Sequence, residues 1–228
     1  MKPKRPSIPP HNPQVRDLVA AKREWTQPLT HDEINRGFQG WHEGGYLPHR
    51  DEPGLVQFVT FRLADAFPTE LRSEWETLLR IENDHQRRTE LEAYLDQGRG
   101  GCHLRHPDVA KLVEDSLRFR HELQYQLRAW VIMPNHVHLL FLVQDTPMSQ
   151  LVDAWKGFTA KEANKILQRK GQFWQEGYWD TFMRDAEHET QTRRYIENNP
   201  TKAKMIGTAK EWPWGSARFR DDYERLCL

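Results

Sequence analysis

The chain of 228 residues is short of cysteine, carries no surplus of either charge and has no long apolar run. Its two cysteines, Cys102 and Cys227, lie far apart and form no C-x-x-C pair, which excludes a disulfide framework and suits a reducing, cytoplasmic setting. Lysine and arginine number 33 against 33 aspartates and glutamates, so no global field attracts nucleic acid and any such contact must be local. No stretch approaches the roughly 18 apolar residues of a membrane span, and no membrane partner is expected. The N-terminus, MKPKRPSIPPHNP, is basic and proline-rich without an apolar centre, unlike a secretory signal. A phosphate-cradling G-x-x-x-x-G-K-[ST] loop is also missing, so chemistry driven by nucleotide hydrolysis has no visible seat.

Tryptophan, by contrast, is abundant: nine residues, enough to fill a core or to offer stacking surfaces for bases. The length fits one domain with appendages. Residues 1–36 read as a basic, proline-rich arm in which Val15–Trp25 has room for a short helix. Residues 37–214 form the domain, and 215–228 a C-terminal tail. Gly37–Asp51, rich in glycine and aromatics, reads as an ordered irregular loop. Leu55–Leu63 alternates about Val56, Phe58 and Thr60, which predicts a strand. Thr69 caps a long, charge-dense helix from Leu71 to about Tyr94, with Leu78, Leu79 and Ile81 as its apolar positions. Pro107 opens a second helix over Asp108–Arg120. Strands Gln124–Met133 and His136–Val143 follow, then a helix over Ser149–Lys170 stopped by Gly171. Gln172–Arg184 reads as loop or short strand. A last helix, His188–Asn199, is expected to end before Pro200. This order predicts an α+β fold: a ferredoxin-like, RRM-like antiparallel sheet with helices packed on one face.

The most informative stretch is Trp130–Val143, WVIMPNHVHLLFLV. His136 and His138 are i and i+2 on a strand, so both imidazoles leave the same face while Val137 and Leu139 pack on the other. Two neutral imidazoles at this spacing can share one divalent cation; the plain alternative is a pair of core histidines. The second feature is Arg193-Arg194-Tyr195-Ile196-Glu197-Asn198-Asn199-Pro200. Tyr195 and Asn199 are i and i+4, on one helix face a turn apart. A phenol attacks poorly at neutral pH unless a base or cation lowers the cost of its phenolate. A carboxamide oxygen such as that of Asn199 is a donor that hard cations accept. Taken without the histidines, Tyr195 is equally a packing tyrosine and Asn199 a helix end.

MPNHVHLLF followed by YIENNPTKA resembles the HUH-type single-strand transposases with one catalytic tyrosine. More narrowly it is similar to the REP-associated tyrosine transposases, as are FVTFRL and FWQEGYWDTFMR; together these cover roughly Gly40–Trp214. The resemblance implies the ferredoxin-like fold and Mg²⁺ or Mn²⁺ on His136 and His138. It implies Tyr195 as the nucleophile that keeps a DNA 5′-phosphate, and palindromic hairpins in single-stranded DNA as substrate. Asn199 falls where relatives place an amide that completes the metal site, although those that carry out full transposition usually have glutamine there. The N-terminal arm and the charged Glu82–Gly100 insertion depart from the family pattern.

Candidate phosphate contacts are Lys156, Lys161, Lys165, Arg169 and Lys170 on the third helix and its end. Arg184, Arg193, Arg194, Lys202 and Lys204 bracket the tyrosine. Trp155, Trp174, Tyr178 and Trp179 are candidates for base stacking, with Trp174 equally a core residue. Glu176, Asp180 and Asp185 are candidates for a general base. One tyrosine supplies one covalent intermediate at a time, which leaves a monomer acting sequentially or a homodimer. Two other classes compete. A histidine-dependent small-molecule hydrolase of the H-x-H-x-H kind is disfavoured by Leu140 at the third position. A non-catalytic, transposase-derived hairpin binder has little need of the intact histidine pair and Tyr195.

Overall fold

The structure, a computed structural model, describes residues 28–43, 48–67 and 84–228. The helix expected over Val15–Trp25 and the start expected at Thr69 and Leu71 lie outside these residues. Six strands are present among the described residues: β1 (Gly40–Glu43), β2 (Pro48–Asp51), β3 (Val56–Arg62), β4 (Tyr125–Ile132), β5 (His136–Val143) and β6 (Trp179–Phe182). The helices are α1 (His31–Arg36), α2 (Asp84–Asp96), α3 (Pro107–Arg118), α4 (Met148–Ile166) and α5 (Ala186–Lys202).

Four strands form an antiparallel sheet in the order β4-β5-β3-β6. Helices α2 and α3 connect β3 to β4, a tight turn joins β4 to β5, and α4 leads from β5 to β6. That is the ferredoxin-like order expected from the sequence. Alternation along the strands decides which face each residue covers. Val59, Phe61, Val137, Leu139 and Phe141 pack against Val109, Val113 and Leu117 of α3 and Leu151, Val152 and Trp155 of α4. The intervening residues look the other way. Phe58, Ala129, Val131 and Leu140 meet Ile196 of α5 in a second, smaller core. Helices α3 and α4 therefore share one face, and the tyrosine helix covers the other.

Two local readings are corrected. The stretch Gly37–Asp51 is not an irregular loop throughout: β1 and β2 pair antiparallel, with Trp41 opposite Arg50 and His42 opposite His49. Strands of four residues each give too few positions for an alternating pattern to show. The hairpin is tied to the sheet by a buried contact between His49 Nδ1 and Asp180 Oδ1, and by Gln57 Nε2 donating to the Arg50 carbonyl at 2.6 Å. The last helix does not stop at Asn199 but runs to Lys202 with Pro200 inside it. A proline so near the C-terminus removes a single N–H from the ladder. The Ala203 N–H still reaches the Asn199 carbonyl at 2.9 Å. At the other end Asp185 caps the helix, accepting from the His188 N–H at 2.7 Å.

Segments outside the expected domain also pack. Thr30 and Glu33 form a capping box on α1, within the expected arm. Beyond residue 214, Val131 bridges Gly215 and the Trp130 N–H donates to Ser216 Oγ at 3.1 Å, so the expected tail lines the outer edge of β4. Buried Glu197 of α5 accepts from Ser216 Oγ and Arg220 Nε, both at 2.7 Å, and so holds this tail to the tyrosine helix.

Candidate active site

The site begins at the β4–β5 turn. The Met133 N–H donates to the His136 carbonyl at 2.9 Å, closing the turn over Pro134 and Asn135. Pro134 and Asn135 are themselves pinned: the Leu63 N–H donates to the Asn135 carbonyl at 2.8 Å and the Leu104 N–H to the Pro134 carbonyl at 3.1 Å. His136 is therefore launched from a fixed point, and His138 follows on the same face. Both are fully buried, on the α5 side of the sheet.

Their Nε2 atoms stand 3.1 Å apart. Two cis ligands of an octahedral ion with bonds of about 2.1 Å are about 3.0 Å apart, so this separation suits one shared cation. Each ring is held from behind. Asn135 Nδ2 donates to the Arg99 carbonyl at 3.1 Å, which turns Asn135 Oδ1 toward His136 Nδ1 at 2.8 Å. An amide oxygen only accepts, so the His136 proton is on Nδ1 and its Nε2 presents a lone pair. His138 Nδ1 lies 2.8 Å from Thr60 Oγ1, a group able to donate or accept. Without a cation, His138 Nε2–H donates to His136 Nε2 and the threonine hydroxyl donates to Nδ1. To hold a cation, His138 would carry its proton on Nδ1, which the threonine hydroxyl can accept, leaving the Nε2 lone pairs of both histidines available as ligands. Burial, and after it the Arg62 guanidinium, push His136 down to about 3, so this ring stays neutral across the ordinary pH range.

Helix α5 brings the second motif to the same place. Tyr195 stacks edge-on against Phe58 with centroids 6.2 Å apart, and its ring is 5.6 Å from that of His138. Asn199, fully buried, donates from Nδ2 to the Tyr195 hydroxyl at 3.3 Å. Asn199 Oδ1 is buried without a hydrogen-bond partner. An unsatisfied buried carbonyl oxygen is costly, and a cation beside it removes the cost. Two neutral imidazoles 3.1 Å apart at Nε2 and an orphaned amide oxygen are donors of the kind a small divalent ion takes. Among the described residues no cluster of three histidine, cysteine or carboxylate side chains offers another such seat.

Tyr195 also has neighbours that its own segment does not reveal. Burial, above all, and the Glu92 and Asp96 carboxylates of α2 hold its phenol well above the usual range. Lys202 Nζ is 5.3 Å from the Tyr195 ring centre and 3.4 Å from Asp96 Oδ2. Glu92, Asp96, Thr60 and Asn135 were not singled out in the sequence. Their contacts span helices and strands far apart in the chain, and no local spacing marks them.

The remaining candidates divide. Arg184, Arg194, Lys202 and Lys204 are exposed on or beside α5. Arg193 is instead engaged by Glu197 at 3.3 Å and by Glu224, so its guanidinium serves the C-terminal tail. Lys156 donates to the carbonyls of Gln175 and Gly177, both at 2.7 Å, and so braces the aromatic segment. Lys161, Lys165 and Lys170 are exposed, but α4 packs on the sheet face opposite the histidines. Trp155 and Trp174 are core: their indole N–H groups donate to Tyr125 Oη at 3.2 Å and Thr159 Oγ1 at 2.9 Å. Trp179 is half-buried beneath the Arg62 guanidinium, 4.3 Å from the ring centre. Tyr178 packs on His49. Of the carboxylates first considered as bases, Glu176 is exposed, Asp180 is held by His49 and Asp185 caps α5.

The model of the family described as Transposase IS200 like matches residues 107–199. The IS200-like segment runs from the start of α3 to Asn199, and so takes in the histidine pair, Tyr195 and Asn199; the resemblance carried by the two motifs is borne out at this level. Among solved structures, a REP-associated tyrosine transposase bound to a REP hairpin is similar over 78% of this chain and 85% of its own, at 18% identity and a TM-score of 0.46. A putative transposase from Deinococcus radiodurans R1 is similar over 69% of this chain and 98% of its own, at 16% identity and a TM-score of 0.28. No curated protein matches the chain.

Proposed function

We propose that this IS200-like protein cleaves and rejoins single-stranded DNA at hairpins through a covalent bond between Tyr195 and a 5′-phosphate. His136, His138 and Asn199 hold Mg²⁺ or Mn²⁺ in this reading, with bound DNA as substrate. The observation that carries it is the pair of anchored Nε2 atoms 3.1 Å apart, with the Tyr195 ring 5.6 Å from that of His138 and an orphaned amide oxygen on Asn199 one helical turn along.

When bound, the ion polarises a phosphodiester oxygen and stabilises the charge that develops on the phosphate. The protein does the rest. Asn199 Nδ2 holds the Tyr195 oxygen in place, while Phe58 fixes the ring. The phenol oxygen attacks phosphorus, the bond to the 3′-oxygen breaks, and the 5′-phosphate stays on the protein. The phosphotyrosine link keeps the diester's energy, so rejoining to another 3′-hydroxyl needs no nucleotide cofactor. Arg184, Arg194 and Lys202 beside α5 contact backbone phosphates, and hairpins present the single-stranded junction that the site reads. Since each subunit has one such tyrosine, moving a segment takes two subunits or two successive cuts. The cytoplasm, where DNA and reduced cysteines coexist, is the setting that fits.

The test is a hairpin strand labelled at one end or the other, incubated with the protein and Mg²⁺ or Mn²⁺, then resolved on a denaturing gel. The expected result is a covalent band carrying only the label of the strand 3′ to the cut, lost with a chelator. Binding of the hairpin without any adduct would replace this reading by that of a non-catalytic hairpin-binding protein.

A further inference from the structure

The charge-dense helix α2 has two unlike faces. Leu91, Tyr94 and Leu95 are buried, so one face is fixed against the fold. Glu92 and Asp96, i and i+4, make an acidic row beside it. Glu92 lines a small cleft with Phe58, Thr60, Trp179 and Asp180, and Phe58 belongs to the core beneath Tyr195. Asp96 reaches the tyrosine helix itself: its Oδ2 lies 3.4 Å from Lys202 Nζ. The same ammonium stands 5.3 Å from the centre of the Tyr195 ring. Asp96 Oδ1 is buried without a hydrogen-bond partner, a costly arrangement for an ion pair that serves stability alone. The aspartate side chain is 13% exposed and that of the lysine 55%, so the acid is held in place while the ammonium can swing toward solvent.

We propose that Asp96 is an autoinhibitory counter-ion: in the free protein it holds Lys202 over Tyr195, and DNA engages the site by drawing that ammonium onto a backbone phosphate. The inference rests on the DNA reading of this face and adds a control on entry to it. A phosphate brought to the Tyr195 hydroxyl arrives beside the ammonium that lies over the same ring. Phosphate and carboxylate then compete for one cation. The exchange has an ionic cost. Asp96, once unpaired, draws a cation from solution, which offsets one counterion that the phosphate releases. The negative charge left on α2 also opposes the incoming strand. Wild-type binding is therefore weaker, and its salt dependence shallower, than the same cations would give without Asp96.

The experiment compares full-length wild type, Asp96→Asn, Lys202→Ala and the double variant by hairpin affinity across a salt series, with melting temperatures to show that each folds. Asp96→Asn keeps the shape of the side chain and removes its charge. It should bind the hairpin about two- to fivefold more tightly at low salt, the weight of a partly exposed ion pair. Its salt slope should steepen by about 0.7, the share of one single-strand phosphate. Both gains should vanish when residue 202 is alanine, because no ammonium is then left to release. Acylation of Lys202 without DNA, read by mass spectrometry, is an independent measure. Asp96→Asn should react about two- to fivefold faster, and bound hairpin should protect the lysine in both proteins. Unchanged affinity in Asp96→Asn, a gain that survives Lys202→Ala, or unchanged acylation overturns the counter-ion assignment. Faster acylation with no protection by the hairpin in either protein overturns instead the DNA reading of this face, and the proposal falls with it.

Discussion

A phenol that burial and two carboxylates hold in its neutral form is a poor nucleophile, and the residues around Tyr195 make sense as the means of overcoming that. Tyr195→Phe isolates the oxygen. The ring keeps its packing on Phe58, and only the hydroxyl's bond to Asn199 disappears, so stability should change by no more than about 1 kcal/mol. The variant should bind hairpin DNA and form no covalent adduct; a shifted band on a denaturing gel would move the nucleophile elsewhere. His136→Ala and His138→Ala make the complementary test. Each removes one of three ligands from the proposed site, and Mn²⁺ affinity should drop by orders of magnitude in calorimetric titration, with hairpin cleavage lost and the far-ultraviolet circular dichroism unchanged. Wild-type Mn²⁺ affinity in either would refute the ligand assignment. These four residues were legible in the sequence because two short-range rules, i with i+2 on a strand and i with i+4 on a helix, place each pair on one face. Glu92, Thr60 and Asn135 were not, since each reaches the site through tertiary contact alone.

At the scale of elements, the register of β3 against β5 sets the second half of the site. Thr60 stands opposite His138 and Arg62 opposite His136, so a single strand supplies both a hydrogen-bond partner for one imidazole and a charge that adds to burial in keeping the other neutral. Thr60→Val preserves the strand and its shape but removes the hydroxyl that orients His138. Metal affinity should weaken by about 10–100-fold, the usual cost of losing such an outer partner, while the melting temperature moves little. An unchanged Mn²⁺ titration would show that the β5 backbone alone orients the ring. The strands, α3 and α4 were readable because their apolar period is regular over many residues. The β1–β2 hairpin was not, being too short for a period to show. The extent of α5 was misjudged because a proline usually forbids the preceding residue a helical backbone, and here the packing of Ile196 and the Glu197 bonds to the tail hold that turn helical.

Across the whole molecule, the even charge balance bears on how DNA is held. A protein without net charge cannot gather a polyanion by its overall field, and phosphate contacts then depend on a few placed cations. Two of the candidates are already spent inside the fold, Arg193 on carboxylates and Lys156 on backbone carbonyls, and the α4 lysines stand behind the sheet from the histidines. That leaves Arg184, Arg194 and Lys204 around the tyrosine helix, with Lys202 shared with Asp96. With about three phosphates neutralised on a single-stranded segment, the logarithm of affinity should fall with the logarithm of salt with a slope of only about 2. Much of the affinity must then come from unpaired bases and from the shape of the junction, which a blunt duplex does not offer. Fluorescence anisotropy across a salt series should show a hairpin with a single-stranded flank binding better than the same sequence fully paired, and Arg194→Ala should lower affinity and flatten the slope by about 1. Equal affinity for the duplex, or a slope several times steeper, would mean that backbone charge rather than exposed bases holds the DNA, and the single-strand reading of this face would fail.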